Sequence, residues 1–245
     1  MFTVLQIEEK TTGFFQKMRE RFRPTKPFLQ RVEVKSGAPF FILRLRKEKG
    51  EIPWDKVAYH AGRTAKRLVI PDGITPPEDS GISPYTPEYL PFILLFNTAL
   101  KGIKKDLSEP NLRRMTVIDK RGILARHIEK AVDYVGEITI MTDNRERYEA
   151  VAEKILKDTG AVIRLVEEPD TFANYLIAED IRNFSTQAKV YCLNHEEVKA
   201  EDIIRFENIS LPPEYEELRP VSISAITFAS ALYEMCGVTR LEDLA

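Results

Sequence analysis

Between residues 115 and 166 short apolar segments alternate with segments of helical periodicity, and this alternation constrains the fold more than any other feature of the chain. The apolar segments are 115–118, 138–141 and 161–166, each of strand length. The stretches 123–135 and 145–158 between them carry apolar residues at helical spacing. Strand, helix, strand, helix, strand at this spacing is typical of a right-handed parallel sheet. We therefore predict a parallel sheet with covering helices in the second half of the chain.

Residues that begin and end helices agree with this prediction. Thr142, Asp143 and Asn144 precede the second helical segment as candidate cap residues, and Gly160 follows it at a C-cap position. Three further elements are expected downstream: strands at 175–178 and 189–193, and a last helix at 222–236.

The first half shows a different pattern, in which hairpin signals come before two helices. Alternating apolar residues predict a strand at 2–8 and a hairpin of 28–35 with 40–46 across a glycine-containing turn. Two helices are expected at 54–67 and 87–106, with a proline-rich loop at 71–91 before the second.

The predicted fold class is therefore α/β. An N-terminal β-hairpin-plus-helix module precedes a Rossmann-like, mostly parallel βαβ sheet that is flanked by helices. We place a mixed α+β module, which contains the proline-rich loop 71–91, at residues 1–108 and the Rossmann-like domain at 109–245.

Composition excludes several classes of protein. Of the 245 residues 43% are hydrophobic and 30% charged, which is typical of a globular protein. The most apolar run, 90–96, is far shorter than the ~20 residues that span a bilayer. A signal peptide has a basic segment followed by an apolar one, and the first residues do not show this pattern, so none is expected. Cys192 and Cys236 are the two cysteines, which favours a reducing compartment, and we expect a cytoplasmic protein without a membrane partner.

Charge is distributed unevenly along the chain. The first 110 residues carry more Lys and Arg than Asp and Glu, the remainder carries the reverse, and the net charge is −2. A basic surface can bind nucleic acid or an acidic partner. Acidic residues interrupt every basic cluster, including the run Lys17–Arg23, and this argues against nucleic acid. The last predicted helix is apolar with small residues, so it forms part of the core or the face of a homodimer.

Candidate ligand-binding residues follow the first two strands of the predicted parallel sheet. In such sheets ligands bind beyond the carboxyl ends of the strands, at the N-terminus of the first helix. This rule brings together Asp119 and Gly122 with Asp143, Asn144 and Arg145. Asp143 lies about 20 residues after Gly122, the offset at which an acidic residue meets the ribose of a dinucleotide. Arg145 is the kind of residue that pairs with a 2′-phosphate.

The segment Ile140-Met-Thr-Asp-Asn-Arg-Glu-Arg-Tyr-Glu-Ala resembles the second strand and following helix of NADP-binding domains of the shikimate-dehydrogenase type. The resemblance covers about 50 residues. It implies that Asn144 and Arg145 grip the adenosine phosphate, with NADP as the cofactor. The chain departs from that family in having only Gly122 where a G-x-G-x-x-G loop is expected, with Asp119 close by. The catalytic lysine motif of that family is not found in the first half.

Three functional hypotheses from different classes remain open. The first is a non-catalytic ligand-binding or regulatory protein with a degenerate Rossmann-like domain. The second is an NADP-dependent oxidoreductase acting on a small molecule, and the third is an interaction protein that uses its basic first half. His60, His127 and His195 have no ligand-like spacing, and Cys192 with His195 supplies one pair at most, so no metal site is predicted.

Overall fold

A computed structural model describes residues 1–8, 27–48, 50–169, 172–200, 202–205 and 209–244. The strands are β1 (Thr3–Glu8), β2 (Phe28–Val32), β3 (Phe40–Arg46), β4 (Leu68–Val69), β5 (Arg114–Ile118), β6 (Glu137–Met141), β7 (Ile163–Val166), β8 (Tyr175–Arg182), β9 (Lys189–Glu196) and β10 (Asp202–Arg205). The α-helices are α1 (Trp54–Ala61), α2 (Leu90–Lys104), α3 (Arg145–Thr159), α4 (Pro213–Glu216) and α5 (Ala225–Cys236). The 3-10 helices are Gly62–Arg67, Glu78–Ser80, Pro110–Leu112, Ile128–Ala131 and Thr239–Asp243.

The chain divides into two compact units that differ from the expected division at residue 108. The first unit joins Met1–Pro87 to Ile209–Leu241, and the second joins Glu88–Asn208 to Glu242–Ala245. Helix α2 belongs to the second unit because it packs against β8 and β9. Helix α5 belongs to the first unit because it packs against β4. Contacts distant in sequence therefore set the division, and a linear boundary cannot express it.

The first unit contains a four-stranded mixed sheet in the order β2-β3-β1-β4. The expected hairpin is present, with β2 antiparallel to β3, and β1 runs parallel to β3 and β4. Phe2 and Phe40 stack at 5.0 Å between ring centroids, and Phe228 of α5 packs edge-on against Phe40 at 5.5 Å. Burial of these three rings fixes the last helix to the sheet.

The second unit contains a six-stranded sheet in the order β10-β9-β8-β5-β6-β7, and every pairing in it is parallel. When the six strands of this unit, β5 to β10, are numbered 1 to 6 along the chain, their order in the sheet is 6-5-4-1-2-3. Read in the reverse direction this is 3-2-1-4-5-6, the strand order of the Rossmann fold. Helices α2 and α3 pack against the sheet. The predicted α/β class with a Rossmann-like parallel sheet flanked by helices is confirmed.

Strands β8, β9 and β10 depart from the usual Rossmann plan because only short loops join them. Tyr175 pairs with Lys189 and Lys189 with Asp202, so the chain repeats with a period of about 14 residues. Asn183 and Glu197 both adopt left-handed backbone conformations at corresponding corners of this repeat, with φ of 51° and 52°. We call this repeat of β8, β9 and β10 the coil. A small apolar core lies in it, formed by Leu176, Ala178, Ile181, Ala188, Val190 and Cys192 together with Ile118.

The helix expected at 123–135 is wrong. The segment forms turns and the 3-10 helix Ile128–Ala131, and no part of it is an α-helix. Ile123, Leu124 and Ala125 are consecutive and all buried. The backbone hydrogen bonds of the segment run mostly from residue i to residue i−3, as from Lys130 to His127 and from Tyr134 to Ala131, which is the 3-10 pattern. Helical spacing of the apolar residues is therefore not sufficient to produce an α-helix in this segment.

Helix α2 confirms the expectation of a buried helix before the parallel sheet. Phe92, Ile93, Leu94, Leu95 and Phe96 are all buried, as is expected for a helix that is apolar on every side. Among the helices of the described ranges, none is long and apolar enough to cross a membrane.

Candidate functional site

The strand order of the second unit identifies one place where a ligand would bind. Strand β5 lies between β6 and β8, so the chain leaves it toward one side of the sheet and later returns on the other. Such a reversal opens a crevice at the carboxyl ends of the two central strands. Ile118 of β5 pairs with Ala178 of β8, so Asp119 and Glu179 come next, at that edge. We call the carboxyl end of β5 and the neighbouring Glu179 of β8 the switch point.

Asp119 is fully buried at the end of β5 and is held by groups of the chain itself. Its Oδ2 accepts hydrogen bonds from the backbone N–H of Leu124 and from the hydroxyl of Tyr148, both at 2.7 Å. Its Oδ1 has no hydrogen-bond partner among the described residues. Burial, and then the adjacent Asp119 carboxylate, raise the pKa of Tyr148, so that hydroxyl remains a donor. Asp119 therefore presents a built-in anion to the turn that follows β5.

Gly122 ends this turn in a left-handed conformation, with φ of 72°. Its backbone N–H donates to the carbonyl of Asp119 at 3.3 Å, so that amide is used inside the turn. A side chain here would meet Asn144 and Arg147, since a Cβ atom would lie 3.2 Å from Asn144 Cβ and 3.4 Å from Arg147 Cδ. The space beside the glycine is filled by protein, whereas a glycine-rich phosphate loop leaves it open to a ligand.

Of the residues that follow β6, some contact the turn after β5 and others face the solvent. The backbone N–H of Asp143 donates to the carbonyl of Lys120 at 3.2 Å, which ties the two loops together while the Asp143 side chain is exposed. Asn144 occupies the N-cap position of α3, but its side chain makes no capping hydrogen bond. Arg145 is half exposed, and its Nε lies 3.9 Å from a carboxylate oxygen of Glu149. The structure thus brings Asp119, Gly122 and Asn144 together and leaves Arg145 on the outer surface.

Arg121 and Glu179 form an ion pair across the switch point. Arg121 Nε donates to Glu179 Oε2 at 3.2 Å, and Arg121 Nη2 also bonds Glu179 Oε1. Nη2 donates to the backbone carbonyl of Glu88 at 2.6 Å, and the guanidinium carbon lies 5.7 Å from the ring centroid of Tyr89. This bidentate pair joins the turn after β5 to β8, at the end of the sheet where ligands bind in sheets of this order.

Sequence reasoning missed Glu179 and Tyr148 as members of the site. Glu179 was detectable, because it directly follows the apolar run 175–178, and the residues that follow parallel strands meet at one edge of the sheet. Tyr148 gave no such signal, since its hydroxyl reaches Asp119 only through the packing of α3 on the sheet.

A cavity of about 1500 Å³ lies at the opposite edge of the same sheet. It is lined by the C-terminal turns of α2 and the amino ends of β8, β9 and β10. Several of its polar groups are already paired. The Tyr175 hydroxyl bonds Asp106, a contact that lowers the pKa of Asp106 to about 2, and Lys189 lies 3.3 Å from Asp202. In parallel sheets of this order ligands bind at the carboxyl ends of the strands, so that end of the sheet is taken as the candidate site.

The proline-rich loop 71–91 packs on the first unit over much of its length. Ile82 is buried in the core of that unit, and the Tyr85 hydroxyl donates to Glu234 of α5 at 2.7 Å. In the described part of the chain, no group of three or more His, Cys, Asp or Glu residues could hold a metal ion. Burial raises the pKa of the Cys192 thiol, which disfavours the reactive thiolate.

His127 makes the stability of the second unit sensitive to pH. The ring is buried, and burial lowers its pKa from 6.5. The attraction of Glu242, whose Oε2 lies 3.8 Å from Nδ1, opposes this shift but does not outweigh it. Arg126 and Lys130 lower the pKa further, and Asp243 raises it.

Because the folded pKa lies below the unfolded value, the unfolded chain binds a proton first as the pH falls. We expect the free energy of unfolding to be constant above about pH 6.5 at this site and to fall below it. Urea unfolding at pH 7.5 and pH 5.5 measures this, with His127→Gln expected to lose part of the difference and His60→Gln to retain it. An equal pH dependence in His127→Gln and the unsubstituted protein would refute the assignment.

No protein-family model matches the chain, and no curated protein matches it. Among solved structures, it is similar to Δ1-pyrroline-2-carboxylate reductase of Thermococcus litoralis, in complex with NADH and L-proline. Identity is 19% over 42% of this chain and 36% of that one, with a TM-score of 0.29. It is also similar to L-tryptophan dehydrogenase of Nostoc punctiforme, at 11% identity over 80% of this chain and 60% of that one, with a TM-score of 0.30. The chain spans less than two thirds of either protein, and likenesses this low carry no argument about function.

Proposed function

We propose that this chain is a non-catalytic ligand-binding or regulatory protein whose Rossmann-like unit has lost the dinucleotide phosphate site. The observation that carries the proposal is the buried carboxylate of Asp119, which accepts the Leu124 N–H and the Tyr148 hydroxyl. In dinucleotide-binding proteins the pyrophosphate accepts backbone N–H groups at the start of the helix after the first strand. Here the chain supplies its own anion to that region.

Two further features of the turn after β5 support the same proposal. Residues 119–144, all of them described, contain no α-helix, so no helix dipole points at the place where the pyrophosphate would lie. Gly122 directs its N–H at Asp119 and faces Asn144 and Arg147. A pyrophosphate at this turn would meet the buried Asp119 carboxylate, and the N–H groups of Gly122 and Leu124 already bond to Asp119, so these residues do not fit the group.

The second candidate is an NADP-dependent oxidoreductase, which one set of observations favours. The strand order is that of dinucleotide-binding sheets, and Asn144 and Arg145 follow the second strand, where a 2′-phosphate is recognised. Arg145 is half exposed and within reach of a ligand. This candidate requires the pyrophosphate to bind elsewhere than at the Asp119 turn.

The interaction hypothesis stays a prediction. It depends on the basic first half of the chain, of which the basic run Lys17–Arg23 lies outside the described residues. A homodimer formed by the last helix also stays a prediction, and Phe228, Ala229 and Leu232 of that helix are buried within the first unit.

A thermal-shift screen against NADP(H), NAD(H), adenine nucleotides and S-adenosylmethionine tests the proposal. A ligand at ~100 times its dissociation constant adds about 2.7 kcal/mol, which raises the melting temperature of a chain of this size by roughly 5–10 °C. We expect no shift with either dinucleotide at millimolar concentration. A shift with NADP(H) that is absent in Arg145→Ala would replace the proposal with the oxidoreductase.

A further inference from the structure

The guanidinium of Arg121 is held in position by contacts that do not depend on Glu179. Its Nη2 donates to the carbonyl of Glu88, and its guanidinium carbon lies over the ring of Tyr89, 5.7 Å from the centroid. A guanidinium fixed in this way presents a planar fork of donors at the switch point. The fork would remain in place if its carboxylate partner moved away.

The carboxylate that fills this fork is accessible to exchange. The side chains of Arg121 and Glu179 are 41% and 29% exposed, so both charges are in contact with water. Ion pairs at such exposure are weak because solvent screens them. A carboxylate or phosphate group from solution has the same geometry toward the fork as Glu179.

The Arg121–Glu179 pair lies where ligands bind in proteins of this fold class. Arg121 follows the first strand of the Rossmann order and Glu179 lies on the fourth, so the pair spans the crevice in which ligands of this fold class bind. Glu137 lies between two arginines at the amino ends of the strands, where it pairs with Arg164 and lies 3.3 Å from Arg114 Nε. That cluster does not lie at the switch point and serves as the reference for loss of a carboxylate elsewhere on the same sheet.

We propose that the switch point is an anion-binding site in which Arg121 receives a carboxylate or phosphate group of the ligand. Glu179 occupies the site as an internal competitor when the ligand is absent. This proposal rests on the proposed function, since it supplies the ligand class of a binding protein whose phosphate turn is filled. Lys120 is exposed and adjacent to Arg121 in sequence, while Asp119 and Asp180 are the acidic residues nearest in sequence to Arg121 and Glu179 and disfavour a highly charged ligand.

The test compares Glu179→Gln with the unsubstituted protein. Melting temperature is measured against inorganic phosphate and, separately, succinate, at constant ionic strength. Removal of the competitor should lower the half-saturating concentration of at least one anion about ten-fold if Glu179 fills the fork roughly nine-tenths of the time. A response to phosphate alone, to succinate alone or to both assigns the ligand group, and each supports the proposal.

Two controls make the result decisive. Glu179→Gln combined with Arg121→Gln should lose the response, and Glu137→Gln should behave as the unsubstituted protein does. Near-ultraviolet circular dichroism checks that each variant is folded. Equal half-saturation in Glu179→Gln and the unsubstituted protein, or a response that persists in the double variant, would overturn the anion site. Neither outcome depends on the dinucleotide screen, so failure of the anion site can be distinguished from failure of the proposed function.

Discussion

Replacement of Asp119 by alanine is expected to lower the free energy of unfolding by about 2–5 kcal/mol. The substitution leaves two buried donors without an acceptor, the N–H of Leu124 and the hydroxyl of Tyr148. It also frees the turn that follows β5, because no other side chain accepts those two hydrogen bonds in the described structure. Urea unfolding followed by far-ultraviolet circular dichroism measures the loss.

Two variants separate this role from the mere loss of a negative charge. Asp119→Asn retains an acceptor oxygen of the same shape and should be destabilised less than Asp119→Ala. Asp143→Ala removes an exposed carboxylate from the neighbouring loop and should change stability by no more than about 0.5 kcal/mol. If Asp119→Ala were as mild as Asp143→Ala, the buried carboxylate would not organise the turn.

Replacement of Phe228 by alanine is expected to destabilise the first unit by about 3–5 kcal/mol. The ring is fully buried and packs edge-on against Phe40, which stacks on Phe2. Its removal leaves a cavity between the last helix and the sheet. Trp54, the single tryptophan of the chain, lies in the first unit, so its fluorescence follows the unfolding of that unit.

Val221→Ala is the matched control for the same part of the chain. Val221 precedes α5 and is 95% exposed, so its truncation should alter stability by less than about 0.5 kcal/mol. A loss below about 1 kcal/mol for Phe228→Ala would contradict the assignment of the last helix to the core of the first unit.

The sequence predicted most of the strands because local patterns determine them. Alternation places β1 and the hairpin, and short apolar runs place β5, β6, β8 and β9. The coil of β8, β9 and β10 was missed because only pairing at a 14-residue repeat reveals it. The segment 123–135 was misassigned because its apolar residues have helical spacing, whereas its backbone forms turns and the 3-10 helix Ile128–Ala131.

The sequence predicted part of the candidate site, because local patterns locate the ends of the strands. A rule about strand ends finds Asp119 and Gly122 in sequence, and it would have found Glu179. It cannot find what those residues contact. That Tyr148 bonds Asp119, or that Asn144 fills the space beside Gly122, follows from the packing of α3.

The central claim is that the chain's own Asp119 fills the dinucleotide phosphate site, and a fluorescence titration of the protein with NADPH tests it most directly. We expect no saturable change in nicotinamide fluorescence up to millimolar NADPH, in the unsubstituted chain and in Arg145→Ala alike. A dissociation constant in the micromolar range, weakened at least about ten-fold in Arg145→Ala, would correspond to more than 1.4 kcal/mol of binding through that arginine. That result would contradict the account and identify a dinucleotide-binding protein.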